Sequence, residues 1–287
     1  MEPQPKQQSV IENIEIDLLL EAIYRRWGYD FRSYARASMV RRIGQFMSAT
    51  GFTQASAIIP QIIHDKALFS KLVGYFSVSV TEMFRDPFVY RELREKVIPL
   101  LRTWPHIKIW HAGCATGEEV YSLAILLKEE GIYHRATIYA TDFNEEVLDK
   151  AREGVYAAGT MQEATRNYQQ SGGKTSFAEY YHVRYDAACM DDSLRKNIVF
   201  GGHNLASDSV FAETHLVFCR NVMIYFNREL QNRAIGLFSE SLVHGGFLCL
   251  GAKEDLRFTA AEKQYTIVDE KARIYRKSGN GIMDVDG

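Results

Sequence analysis

Ile107-Lys108-Ile109-Trp110-His111-Ala112-Gly113-Cys114-Ala115-Thr116-Gly117-Glu118-Glu119 is the stretch on which the fold turns. Its first five residues read as a short strand, a glycine-bearing turn follows at once, and residues 118–130 then read as a helix. A second strand is expected over 137–141 and a second helix over 144–152. Strand, helix, strand, helix at these lengths predicts a parallel α/β sheet with right-handed crossovers. Later strands are expected over 197–200, 215–219, 246–250 and 272–276, with a helix over 228–243. Residues 154–196 break the alternation and read as an insertion holding a helix and a small antiparallel unit.

Upstream the texture is helical. Apolar residues at Ile14, Leu18, Leu19, Ala22 and Ile23 recur with helical spacing, and Gly28-Tyr29-Asp30 breaks the run. Helical stretches follow over 31–47, 53–64 and 65–76. Asp86-Pro87 marks another start, Asp as cap and Pro at the first helical position, with Pro99 bending or shortening the far end. The expected organisation is a flexible tail over 1–10, a helical domain over 11–80, an α/β domain over 81–277 and a second tail over 278–287.

Bulk properties narrow the class. A net charge of −2 argues against a chain tuned as a whole to nucleic acid or anionic membrane. No run approaches the roughly 18 apolar residues of a membrane span, and Met1-Glu2-Pro3-Gln4-Pro5 opens no apolar signal core, so a cytoplasmic protein is expected. Cys114, Cys189, Cys219 and Cys249 form no CxxC pair, so neither a metal site nor a disulfide framework is expected.

The turn after the first strand is where open α/β sheets bind nucleotide-like ligands. Here the glycines stand as GxxxG, followed by two acids, where a dinucleotide site has GxGxxG and a helix N-terminus aimed at phosphate. Glu118 and Glu119 would repel a phosphate. They suit S-adenosylmethionine, which has no phosphate and carries a sulfonium and an ammonium. Asp142 ends the second strand, placed to accept both ribose hydroxyls or to cap the helix that follows.

Three segments together carry a resemblance: Ser79-Val80-Thr81-Glu82-Met83-Phe84-Arg85, Gly113 to Ser122, and Phe218-Cys219-Arg220-Asn221-Val222-Met223-Ile224-Tyr225-Phe226. In these the chain resembles the chemotaxis receptor methyltransferases, the CheR family of bacteria. The resemblance implies a small all-helical N-terminal domain, then a Rossmann-like class I S-adenosylmethionine-dependent methyltransferase sheet with an antiparallel last strand and an inserted small β-subdomain. It implies methyl transfer to glutamate carboxylates of a methyl-accepting chemotaxis receptor, giving methyl esters and S-adenosylhomocysteine. By position it places the cofactor against Ser79, Thr81, Arg85, Gly113, Glu119, Asp142, Asn204, Leu205, Arg220 and Asn221. Arg85 and Tyr225 would line the reaction centre. The chain departs from the family at Ser79, usually Asn, and at Met83, usually Phe. Some members bind a receptor's C-terminal pentapeptide through a glycine-containing loop of the β-subdomain. Residues 185–194 hold no glycine, which argues against tail docking here.

Arg25, Arg26, Arg32, Arg36, Arg41 and Arg42 crowd the second helical stretch and its approach, with Asp30 the one acid among them. A solvated face would explain them, but a basic face also suits the glutamate-rich helical bundle of a chemoreceptor. Arg36, Arg41 and Arg42 are therefore expected to bind substrate, by a protein acting as a monomer. The rival readings are a regulatory module that binds cofactor without turnover, and a methyltransferase for another protein or a small molecule. A nucleotide-dependent oxidoreductase lacks its GxGxxG, and a DNA amino-methyltransferase its Asn/Asp-Pro-Pro-aromatic motif.

Overall fold

The computed structural model describes residues 5–77, 81–257 and 259–278. Contact clustering divides the chain into two compact units. The first is residues 1–78 with 204–208 and 225–233, and the second is the remainder.

The first unit is helical. Helix α1 spans Pro5–Trp27, so residues 5–10 belong to a helix and not to the expected tail. Its buried stripe is Ile16, Leu19, Leu20 and Ile23, one helical face, whereas Ile14 and Leu18 are exposed. Helix α2 spans Arg36–Thr50, starting five residues later than expected. Residues ahead of it are held differently: Tyr34 forms an isolated antiparallel bridge with Phe226, and the Ala35 N–H donates to the Tyr225 carbonyl at 2.8 Å. After a 3-10 turn come α3 (Ile59–Ile62) and α4 (Lys66–Phe76). Asp65 caps α4, accepting from the N–H groups of Ala67 and Leu68.

The second unit opens with α5 (Pro87–Glu92), a π-helical turn over Leu93–Val97 and α6 (Ile98–Leu101). The wide turn sits just ahead of Pro99, whose ring and missing N–H disrupt regular helix there. The predicted alternation then follows: β1 (Ile107–Ala112), α7 (Glu118–Glu129), β2 (Ala136–Asp142) and α8 (Glu145–Glu153). The insertion holds β3 (Val155–Ala157), α9 (Met161–Gln170), β4 (Tyr181–Arg184) and β5 (Ala187–Met190), the strands forming a separate antiparallel sheet in the order β3-β5-β4. The chain continues through β6 (Ile198–Gly202), β7 (Thr214–Cys219), α10 (Arg228–Ser241), β8 (Leu242–Leu250), β9 (Tyr265–Asp269) and β10 (Ile274–Lys277).

The main sheet runs β6-β2-β1-β7-β8-β10-β9. Strands β6 to β8 are parallel, while β10 is antiparallel to both β8 and β9. The antiparallel last strand is thus present, and β9, which sequence reading did not anticipate, is the edge it carries. Helix α7 is apolar almost all round and buried from Glu119 to Leu127, as a helix packed between sheet and other elements must be. This order places the ends of β1, β2 and β7 side by side, with the loops that follow them.

Candidate active site

The loop after β1 is built on left-handed backbone. Gly113 has φ +72° and Gly117 +91°, and Ala115 between them takes +47° without being glycine. A Cβ on Gly113 would lie 2.4 Å from Cγ2 of Val222, so the turn admits no side chain there. The Gly113 and Cys114 N–H groups both donate to the Thr141 carbonyl, tying the turn to the end of β2.

Asp142 completes that tie. It is buried, its Oδ2 accepts from the Ala115 N–H at 3.0 Å and its Oδ1 from the Asn144 N–H at 3.0 Å. Burial pulls its pKa up against these backbone donors. The Phe143 N–H also lies against this carboxylate, which still has room for a further donor. The helix cap is Asn144, whose side chain accepts from the Glu146 N–H, so capping is not the task of Asp142.

Glu118 and Glu119 start α7 and face different surroundings. Glu118 is half-buried and accepts from the Thr116 hydroxyl at 2.6 Å, and burial pushes its pKa up to about 7. Glu119 is buried and pairs with Arg220, whose side chain has no exposed surface. Burial raises the Glu119 pKa while the Arg220 guanidinium opposes the rise, and Arg220 itself is held above its ordinary value. Arg220 Nη1 also donates to the Arg85 carbonyl at 3.0 Å, and Nη2 reaches Asp86 Oδ2 at 2.5 Å. One buried guanidinium therefore joins the loop after β7, the start of α7 and the 85–86 turn. Asp86, expected as a helix cap, makes no capping bond and spends its carboxylate on Arg220.

Arg85 sits between two left-handed residues, Phe84 at φ +51° and Asp86 at +53°. The strain costs on the order of 1–2 kcal/mol per residue and must be held in place. The Phe84 N–H donates to the Ser122 hydroxyl, and its ring is fully buried against Tyr90, Tyr168 and Phe177. Arg85 is half-buried, and its charge is close enough to lower the Glu119 pKa. Thr81 is half-buried, and Ser79 lies outside the described residues.

Asn221 follows Arg220 at φ +59°. Its Oδ1 is buried and accepts no hydrogen bond among the described residues. Cys219 and Cys114 are buried thiols whose pKa values burial pushes well up, so neither is a thiolate nucleophile. His111 is buried too; burial, with Arg220 nearby, pulls its pKa down to about 3, so it is a neutral ring and not a base.

Sequence reading missed Glu254, in the loop after β8. Its carboxylate accepts from four backbone N–H groups, those of Asn221, Val222, Met223 and Gly251. An acid three residues after Gly251, at the carboxyl end of a parallel strand, was the available signal.

The helical unit holds the remaining expected residues. Tyr225 is half-buried, and the Arg42 guanidinium lies 5.3 Å from the centre of its ring. Asn204 Oδ1 accepts from the Ala206 N–H, its own N–H donates to Asp208, and Leu205 is buried. Of the three arginines expected to bind substrate, only Arg42 is buried. Arg36 bonds Asn13 and Asp17 of α1, and Arg42, on the same stripe as Met39, Ile43 and Phe46, is buried and donates to the Tyr75 carbonyl. Arg41 alone of the three is exposed. Arg25 and Arg32 pair with Glu21, and Arg32 also with Asp30.

The glycine turn, the acids around it and the orphaned Asn221 oxygen fit a cationic, phosphate-free nucleoside. Residues 79–273 match the CheR methyltransferase SAM binding domain, and residues 14–77 the CheR methyltransferase all-alpha domain. The chain belongs to the CheR methyltransferase family. The Pseudomonas putida protein Cher3 is 52% identical over 93% of this chain and 97% of its own. Chemotaxis protein methyltransferases of Listeria monocytogenes and Borreliella burgdorferi are 29% and 27% identical, over 86% and 85% of this chain and 93% and 88% of theirs. The CheR-family chain is an S-adenosylmethionine-dependent methyltransferase with the class I fold, and no described helix is long and apolar enough to cross a membrane.

Proposed function

We propose that the protein methylates glutamate side chains on the cytoplasmic helical bundle of a chemoreceptor, for adaptation in chemosensory signalling. The observation that carries this reading is Arg85, set between two left-handed residues on a turn that Arg220 ties to the acidic start of α7. S-adenosylmethionine supplies a methyl group on a sulfonium, and transfer to a carboxylate leaves S-adenosylhomocysteine. A glutamate carboxylate is already an anion at neutral pH, so the site needs no general base. Its work is to orient the nucleophile and strip its water.

Arg85 is assigned to hold the substrate carboxylate through its planar donor fork, and Tyr225 to donate to the same group or shield the methyl. One-sided contact by Arg85 leaves the second oxygen free to attack. Glu119, Arg220, Asn221, Gly113 and Asp142 are assigned to the cofactor, Asp142 through the ribose hydroxyls. Thr81, Asn204 and Leu205 are assigned there by position, as is Ser79. Receptor recognition falls to Arg41, the exposed arginine of α2. Tail docking is not part of this reading: the β4–β5 turn sets Tyr185 at φ +54°, where the docking members carry glycine nearby.

The test is the chemistry of the product. Label from methyl-labelled S-adenosylmethionine should enter a purified receptor domain and be released by mild base, as an ester is. Label that survives base would replace glutamate with a nitrogen acceptor. An Arg85→Lys variant of full rate would remove Arg85 from the mechanism.

A further inference from the structure

The Glu254 carboxylate is buried, yet the groups that answer it are backbone amides. Its Oε1 accepts from the N–H groups of Val222 and Met223 at 2.9 and 2.7 Å. Its Oε2 accepts from Asn221 and Gly251 at 3.0 and 2.6 Å. Three of the four donors are consecutive, a concave nest of amides of the kind that binds anions. Here the anion is a side chain of the protein itself.

The nest holds a strained segment. Asn221 is not glycine and sits at φ +59°, a conformation that persists only where surroundings over-determine it. Gly251 closes the far side, since a Cβ there would lie 2.7 Å from both the Asn221 nitrogen and Glu254 Oε2. Two consequences reach the cofactor cradle. Asn221 holds a buried Oδ1 that accepts no hydrogen bond among the described residues, which leaves it able to take a ligand N–H. Val222 is brought against Gly113, close enough to exclude a Cβ from the glycine turn.

We infer that Glu254 is a positioning residue for cofactor binding, acting through the Asn221–Met223 backbone to set the Asn221 amide and the Val222 wall of the cradle. The inference rests on the methyltransferase reading of the site. Replacing Glu254 with Gln turns one oxygen into an NH2 donor that faces N–H donors, so two amides lose their acceptor. Gly251→Ala presses on the same nest from the other side.

Calorimetric titration of S-adenosylhomocysteine into the full-length wild type, Glu254→Gln and Gly251→Ala tests this. Both variants should bind about tenfold more weakly or worse, while the KM for receptor stays within about twofold of wild type. A folded Glu254→Gln protein with wild-type affinity overturns the inference, as does a lower melting temperature with affinity intact, which is a merely structural role. Should Glu254→Gln fail to fold, Gly251→Ala decides, unchanged affinity there being the contrary result. A wild type that does not bind S-adenosylhomocysteine overturns the methyltransferase reading itself, which separates that failure from this one.

Discussion

Arg220, immediately after β7, donates through Nη1 to the carboxylate of Glu119 in the first turn of α7, and the two side chains are 0% and 5% exposed. Removing one partner of such a pair strands a buried charge. Glu119→Ala should therefore destabilise the protein by about 3 kcal/mol, read as a shift in urea midpoint, with Asp86 left as the remaining partner of Arg220. A Glu119→Leu, Arg220→Met double variant should recover most of that stability and none of the methyl transfer. Recovery of both would make the pair structural only.

Glu118 titrates near neutrality because burial pushes its carboxyl up to about 7. Above that pH its negative charge adds to the acidic start of α7, so binding of the proposed cationic ligand there should favour the deprotonated form. Affinity for S-adenosylmethionine should rise with pH through about 7 and then level, and Glu118→Gln should flatten the profile. Titrations from about pH 6 to about pH 8 check the sign, and a fall in affinity across that range contradicts it.

Gly113 combines φ +72° with Val222 Cγ2 in the space a Cβ would need. Gly113→Ala should cost about 2 kcal/mol of stability and most of the cofactor affinity. Thermal melts with and without S-adenosylhomocysteine measure both, because only a binding-competent protein gains stability from the ligand.

Arg41 and Arg42 are neighbours in sequence and opposite in exposure. Arg41→Glu should leave stability within about 0.5 kcal/mol and raise the receptor KM, most visibly at low salt. Arg42→Met should cost about 1–3 kcal/mol, since the partly buried Tyr75 carbonyl loses its donor, and should lower kcat through the unsupported Tyr225 ring. Identical effects of the two would refute this division.

The parallel core was legible because β1, its glycine turn and α7 carry three signals within residues 107–129: a strand, a glycine-bearing turn and an apolar helical run. Helix phase was harder to read. Arg42 falls three residues after Met39 and four before Phe46, which puts it on the buried stripe, yet as one of several arginines it reads as surface. Asp86 looked like a cap because Asp-Pro usually starts a helix that way; its partner, Arg220, lies 134 positions on, beyond any local pattern. Glu254 offered only its place just after a strand as a signal. Its partners are backbone amides, which no residue type announces. Strand β9 escaped because Tyr265 alone of its residues is buried, so no apolar alternation marks it.

The most direct measurement is transfer of labelled methyl from S-adenosylmethionine to a purified chemoreceptor cytoplasmic domain, beside the same domain with its methylation glutamates changed to alanine. Base-labile label is expected on the intact domain and none on the alanine control. Equal labelling of both, or cofactor binding with label on neither, would contradict that expectation.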